Sequence, residues 1–241
     1  MNSPSIPQLK RLLFEKSEAQ IIPVILEMHC HTRFGSSCSY MSPEELVQQA
    51  KIIGLDGLCI TEHDNPWDPR ALRELSEKYE ILVLAGIEVP TPLGEILVFG
   101  IHEHILQNHH PEKLRYQVEL AGGVMVAAHP FRGDSSLFEW DAACCELVPL
   151  VDKASQRPVL NIVDAIEVFN GRSPDWEVDL SVAVGRQLAM KGIGGSDAHN
   201  VDQVGECVTI FEKRLENEED FLNELRSGRY QALHRALNQF Y

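Results

Sequence analysis

Apolar residues along the 241-residue chain gather in short runs. They occupy 21–26 (IIPVIL), 55–60 (LDGLCI), 81–87 (ILVLAGI), 95–101 (EILVFGI), 123–128 (GVMVAA), 164–169 (DAIEVF), 192–196 (GIGGS) and 207–211 (CVTIF). Most are apolar almost throughout, the pattern of strands covered on both faces. Between them apolar residues recur at helical spacing. In SPEELVQQAKIIG, Ser42 is placed to cap, Pro43 takes the first helical position and Glu45 completes a capping box. Leu46, Val47, Ala50 and Ile53 then share a face before Gly54 stops the helix. DPRALRELSEKY, PEKLRYQVELAG, PDWEVDLSVAVGRQLAMKG and NEEDFLNELRSG read the same way.

Strands alternating with helices predict an α/β fold whose parallel sheet is covered on its outer face. Seven or eight such units in this length favour a closed or nearly closed TIM-like barrel over a doubly wound sheet. Residues 1–241 are expected to form one domain, with 1–20 as an N-terminal helical arm and 132–160 as a helical insertion. In such a barrel the chemistry gathers at the carboxyl ends of the strands. Reactive residues do follow the runs: His29 and His31 the first, His63 the second, Glu88 the third, His102 the fourth, His129 the fifth, and Asp197 with His199 the seventh.

His29 and His31 are two apart on extended chain, so their side chains share a face and can grip one ion. An isolated H-x-H is weak evidence, and Glu88 or His129 alone would read as an exposed carboxylate or a hydrogen-bonded turn histidine. The eight together are improbable as scatter. Mixed imidazole and carboxylate ligands suit zinc, manganese or iron better than calcium or magnesium. Eight exceed the needs of one ion, so at least two divalent ions are implied, the arrangement that serves phosphoester hydrolysis.

Composition narrows the partners. The formal net charge of -15 disfavours a long nucleic acid, and no run of about 18 apolar residues marks a membrane span. Six cysteines without a C-x-x-C pair read as reduced-compartment usage. With no export signal in the first residues, a cytoplasmic location is expected.

The motifs MHCHTRFGSS, ITEHD, GIEV, GGVMVAAHPFR, DAIEVFNG and GGSDAH, in this order, resemble the polymerase and histidinol phosphatase (PHP) superfamily of metal-dependent phosphoesterases. The resemblance implies a distorted seven-stranded β/α barrel with up to three metal ions at its mouth. It implies His29, His31, Glu88 and Asp197 as ligands of one ion, and Glu88 as the bridge to a second held by His129 and His102. His63 and His199 correspond to ligands of a third. Two departures stand out. Glu27-Met28 precedes His29 where the family has Asp-Leu, a carboxylate suited to orienting an imidazole. The acid that usually follows H-x-H is replaced by Ser36, Ser37 and Cys38, where Cys38 is either a substitute ligand or a local thiol.

Arg132, Arg33 and Arg172 follow AHPF, HCHT and VFNG. A guanidinium there can hold phosphate oxygens bidentately, and Arg132 joins Glu88 and Asp197 as a catalytic candidate. The expected activity is hydrolysis of a small phosphomonoester or phosphodiester, nucleotide-sized or smaller, by a metal-bound hydroxide. An amidohydrolase-type reaction and a non-catalytic metal-binding PHP domain are the alternatives. His104, His109, His110 and His234 read as structural, and Glu167 faces either the mouth or a helix.

Overall fold

The computed structural model describes residues 4–16, 23–63, 66–102, 110–141 and 146–241. The expected helices form: α1 (Ile6–Lys16), α2 (Pro43–Ile53), α3 (Pro69–Tyr79), α4 (Pro111–Ala121), a short α5 (Val151–Ala154), α6 (Asp175–Gln187) and α7 (Glu218–Ser227). In α2 the Ser42 hydroxyl accepts from the Glu45 amide at 3.2 Å, while Glu45 reaches back to the Ser42 amide at 2.7 Å. That reciprocal pair fixes the chain direction just after the H-x-H loop. The arm helix α1 buries Ile6 and Leu9 in the apolar cluster that also holds Leu46, Val47 and Ala50 of α2.

The strands are β1 (Val24–Cys30), β2 (Gly57–His63), β3 (Leu82–Thr91), β4 (Gly94–Phe99), β5 (Val124–Ala127), β6 (Phe138–Asp141), β7 (Glu146–Pro149), β8 (Ala165–Asn170), β9 (Lys191–Gly195), β10 (Cys207–Phe211), β11 (Tyr230–His234) and β12 (Gln239–Phe240). Ten of them make one sheet in the order β12-β11-β10-β1-β2-β3-β4-β5-β8-β9. This is a curled half-barrel, and the expected closed, parallel, seven-stranded barrel is corrected on two counts. First, β1-β2-β3 and β5-β8-β9 pair in parallel, but β4 runs antiparallel to both β3 and β5, and β10 runs antiparallel to β1. The cause of the β4 reversal is local: only Pro92 and Leu93 separate β3 from β4, which permits a hairpin and no crossover. Second, no ladder joins β9 to β1 among the described residues. The curl is completed by the bridge Cys30–Ala198, with the His31 amide donating to the Ala198 carbonyl at 3.0 Å.

Residues 132–160 are likewise not a helical insertion. They contain the antiparallel β6–β7 hairpin, followed by α5 and a 3-10 turn at Pro158–Asn161. The core lies on both sides of the curled sheet. Ile87, Val98, Met125 and Ile166 pack toward one group of helices, and Ile25, Leu58 and Ile60 toward α1 and α2. All seven residues of β1 are buried, Glu27 and His29 among them. A polar group so placed must be paired, and those pairings build the site.

Candidate metal centre

His29 leaves the end of β1 and His31 lies one residue past it, with their Nε2 atoms 3.1 Å apart. Glu88, from β3, divides its carboxylate between two sides. Oε1 lies 2.9 Å from His129 Nε2 and 3.4 Å from His29 Nε2, while Oε2 lies 3.3 Å from His31 Nε2 and 3.2 Å from His63 Nδ1. Asp197, just beyond β9, places Oδ1 3.4 Å from His31 Nε2 and 3.7 Å from His29 Nε2. Three overlapping groups therefore have ligand atoms within 4.8 Å of one another: His29, His31 and Asp197; His29, Glu88 and His129; and His31, His63 and Glu88.

The donor set fits divalent ions of the imidazole-and-carboxylate kind. Its electrostatics fit as well. Burial opposes protonation of His29, yet Glu167, Glu88 and Asp197 together raise its pKa well above the ordinary value. Burial also works against ionised Glu88 and Asp197, but the surrounding histidines, and Arg132 for Asp197, hold both below the usual carboxylate range. A buried pocket of ionised carboxylates draws in positive charge, which bound cations would supply. His129 and Asp197 also have positive φ, 26° and 53°, a costly backbone region for non-glycine residues.

Several buried groups hold these ligands. Glu167 Oε1 lies 2.9 Å from His29 Nδ1, and its Oε2 accepts from the His129 backbone amide at 2.8 Å and from Asn170 Nδ2 at 3.0 Å. Glu167 therefore faces the mouth and performs the imidazole-orienting role expected of Glu27. Glu27 instead accepts from the amides of His29, Ser196 and Gly205, tying the end of β1 to the loops that carry Asp197. Ser36, which stands where the family has an acid nearby, lies 3.1 Å from His31 Nδ1 and donates to Glu62 at 2.5 Å. Cys38 is an exposed local thiol, its sulfur 3.4 Å from His63 Nε2.

His102 is not brought to the cluster. Because β4 runs antiparallel to β3 and β5, its end lies at the opposite ends of those strands from the cluster, where His102 Nε2 pairs with Glu218 Oε2 at 2.7 Å. The start of β4 takes its place: Glu95 Oε2 lies 3.5 Å from His129 Nε2. The signal was present in TPLGE, a turn sequence between two apolar runs, which marks a hairpin and puts Glu95 rather than His102 at the mouth.

His199 lies beside the cluster, its ring 4.6 Å from that of His31 and its Nδ1 2.8 Å from the Asp197 carbonyl oxygen. Arg132 donates to Asp197 Oδ2 at 2.8 Å and to Asn170 Oδ1 at 2.7 Å, and Arg172 Nη1 lies 3.2 Å from His199 Nδ1. Arg33 is exposed, and no side-chain hydrogen bond or ion pair joins it to the cluster among the described residues; its charge is felt by Glu45. Asp64, His104, His109, Cys144 and Cys145 lie outside the described residues. Among the described residues no helix is long and apolar enough to cross a membrane.

Comparison with known proteins bears on the family and the fold. The PHP domain family matches residues 27–124, and the PHP-associated family matches 179–230. An uncharacterized protein of Methanocaldococcus jannaschii is 24% identical over 162 residues, covering 64% of this chain and 85% of that protein. Among solved structures, a two-domain protein from Bacteroides vulgatus containing a predicted PHP-like metal-dependent phosphoesterase aligns with TM-score 0.64 at 18% identity, over 89% of this chain and 66% of that one. An amidohydrolase from Chromobacterium violaceum aligns with TM-score 0.57 at 14% identity, over 87% and 98%. At such identities the two structures speak for the fold alone. The two matched segments supply the H-x-H loop, Glu88 and the region holding Asp197, and the chain belongs to the PHP superfamily.

Proposed function

We propose that the protein is a metal-dependent hydrolase of small phosphoesters. The observation that carries this reading is the division of Glu88, whose two oxygens face separate histidine groups in the manner of a bridge between ions. Zinc, manganese or iron, when bound, supplies an acidified water and neutralises phosphoryl oxygens. The protein's own groups do the positioning. Glu167 holds His29 Nδ1, so that Nε2 faces the cluster. Arg132, about one-third exposed and held by Asn170 and Asp197, is oriented to take phosphoryl oxygens at the rim. Arg172, beside His199, is a second cation on that rim. The formal net charge of -15 favours a compact substrate over a polyanion.

An amidohydrolase-type reaction is the second reading, supported by the fold shared with the Chromobacterium violaceum protein. Release of phosphate or alcohol from a panel of phosphomonoesters and diesters, with manganese- or zinc-loaded protein, separates the two. Glu88→Ala should lower the best phosphoester rate by about a hundredfold or more, since it removes a shared ligand. Turnover of amides with none of the phosphoesters would move the assignment to the second reading.

A further inference from the structure

The loop after His31 presents two large aromatic side chains to solvent, Phe34 at 80% exposure and Tyr40 at 79%. The backbone that carries Phe34 is held in place. The Arg33 amide donates to the Met41 carbonyl at 2.8 Å, and the Phe34 amide to Thr32 Oγ1 at 3.3 Å. Gly35 is pressed onto Glu62 so closely that a Cβ there would come 2.6 Å from Glu62 Cγ. The phenyl ring faces Trp67 with centroids 5.9 Å apart and planes inclined by 40°. Beside this aromatic pair opens a cavity of about 310 Å³ lined by Phe34, Pro66, Trp67, Ala71, Glu62 and Asp68.

This cavity adjoins the metal ligands through a short chain of hydrogen bonds. Trp67 Nε1 donates to Glu62 Oε1 at 3.2 Å, Ser36 donates to Glu62 Oε2, and Ser36 Oγ lies 3.1 Å from His31 Nδ1. Among the described residues no lysine or arginine lines the cavity. It is therefore unsuited to a phosphoryl group and suited to a flat, uncharged ring, which can pack on the aromatic wall and turn any N–H donor toward the carboxylates.

We propose that the Phe34–Trp67 cavity is a subsite for a planar aromatic ring, carried by the leaving group of the substrate whose phosphoryl group lies at the metal centre. The second half of that statement rests on the phosphoesterase reading; ring binding does not. The test titrates metal-loaded protein with adenosine, a ring without phosphate, and with ribose as the ringless control, reading tryptophan emission. Adenosine should change the emission saturably and ribose should not. Phe34→Ala should weaken adenosine binding about tenfold, whereas Phe34→Tyr should keep it. In parallel, Phe34→Ala should lower kcat/KM about tenfold for phenyl phosphate and leave glycerol 2-phosphate unchanged. No saturable response, an unchanged affinity in Phe34→Ala, or equal losses on the two esters would overturn the subsite. Ring binding through Phe34 with no turnover of any phosphoester would uphold the subsite and sink the phosphoesterase reading.

Discussion

Glu95 and His102 stand seven positions apart at the two ends of one apolar run, yet only Glu95 stands beside His129. The distinction has a direct consequence. Glu95→Ala should weaken retention of the metal held near His129 by about tenfold or more, and His102→Ala should leave it unchanged. Metal content after dialysis, measured for the two variants side by side, checks this; equal losses would contradict the strand direction. Glu167 makes a similar point. Its carboxylate serves one ring nitrogen and two nitrogen donors at once, so a strand residue that looked ambiguous holds both His29 and the His129 backbone.

Elements meet closely where the curled sheet folds back on β1. Gly195 ends β9 against His29: a Cβ at this position would overlap the His29 Cβ and come 2.7 Å from Glu167 Oε1. Both neighbours are buried and held, so neither can give way. Gly195→Ala should cost about 1–3 kcal/mol, read as a lower urea midpoint with an unchanged slope, and should loosen metal binding with it. At the far end of the ribbon, Tyr230 opens β11 nearly buried, and burial, with Asp164 and Tyr241 nearby, raises its phenol pKa. A raised pKa means the neutral phenol is the form the fold favours. Its contribution is whole below the unfolded value of about 10 and is lost as pH rises through the folded one. Alkaline denaturation should therefore begin near that pH and be blunted in Tyr230→Phe, as thermal melts from pH 8 upward would record.

For the whole molecule, the centre links folding to metal. The candidate ligands come from the ends of β1, β2, β3, β5 and β9 and from the start of β4, elements spread from residue 24 to residue 199. An ion held by all of them binds the folded chain and not the unfolded one. Free metal at a hundred times its Kd should stabilise the fold by about 3 kcal/mol, raising Tm by roughly 5–10 °C. Chelator should reverse the shift, and a melt insensitive to both would count against a buried ion.

The sequence by itself determined much of this protein. Apolar runs and capping signals such as Ser42–Glu45 located the strands and helices, because burial and end-group satisfaction are local demands. H-x-H, Glu88, His129 and Asp197 were legible because strand-end positions recur after each run. Tertiary structure decided the rest. A run of apolar residues carries no sign of its direction, so the antiparallel course of β4 and β10, and with it the exchange of His102 for Glu95, came from pairing. The hairpin within residues 132–160 was hidden for the same reason, since strand pairing is a property of two segments. The tasks of Glu167 and Glu27 depended on which buried groups surrounded them, and the deciding ones, His29 for Glu167 and the Ser196 and Gly205 amides for Glu27, lie more than a hundred residues away.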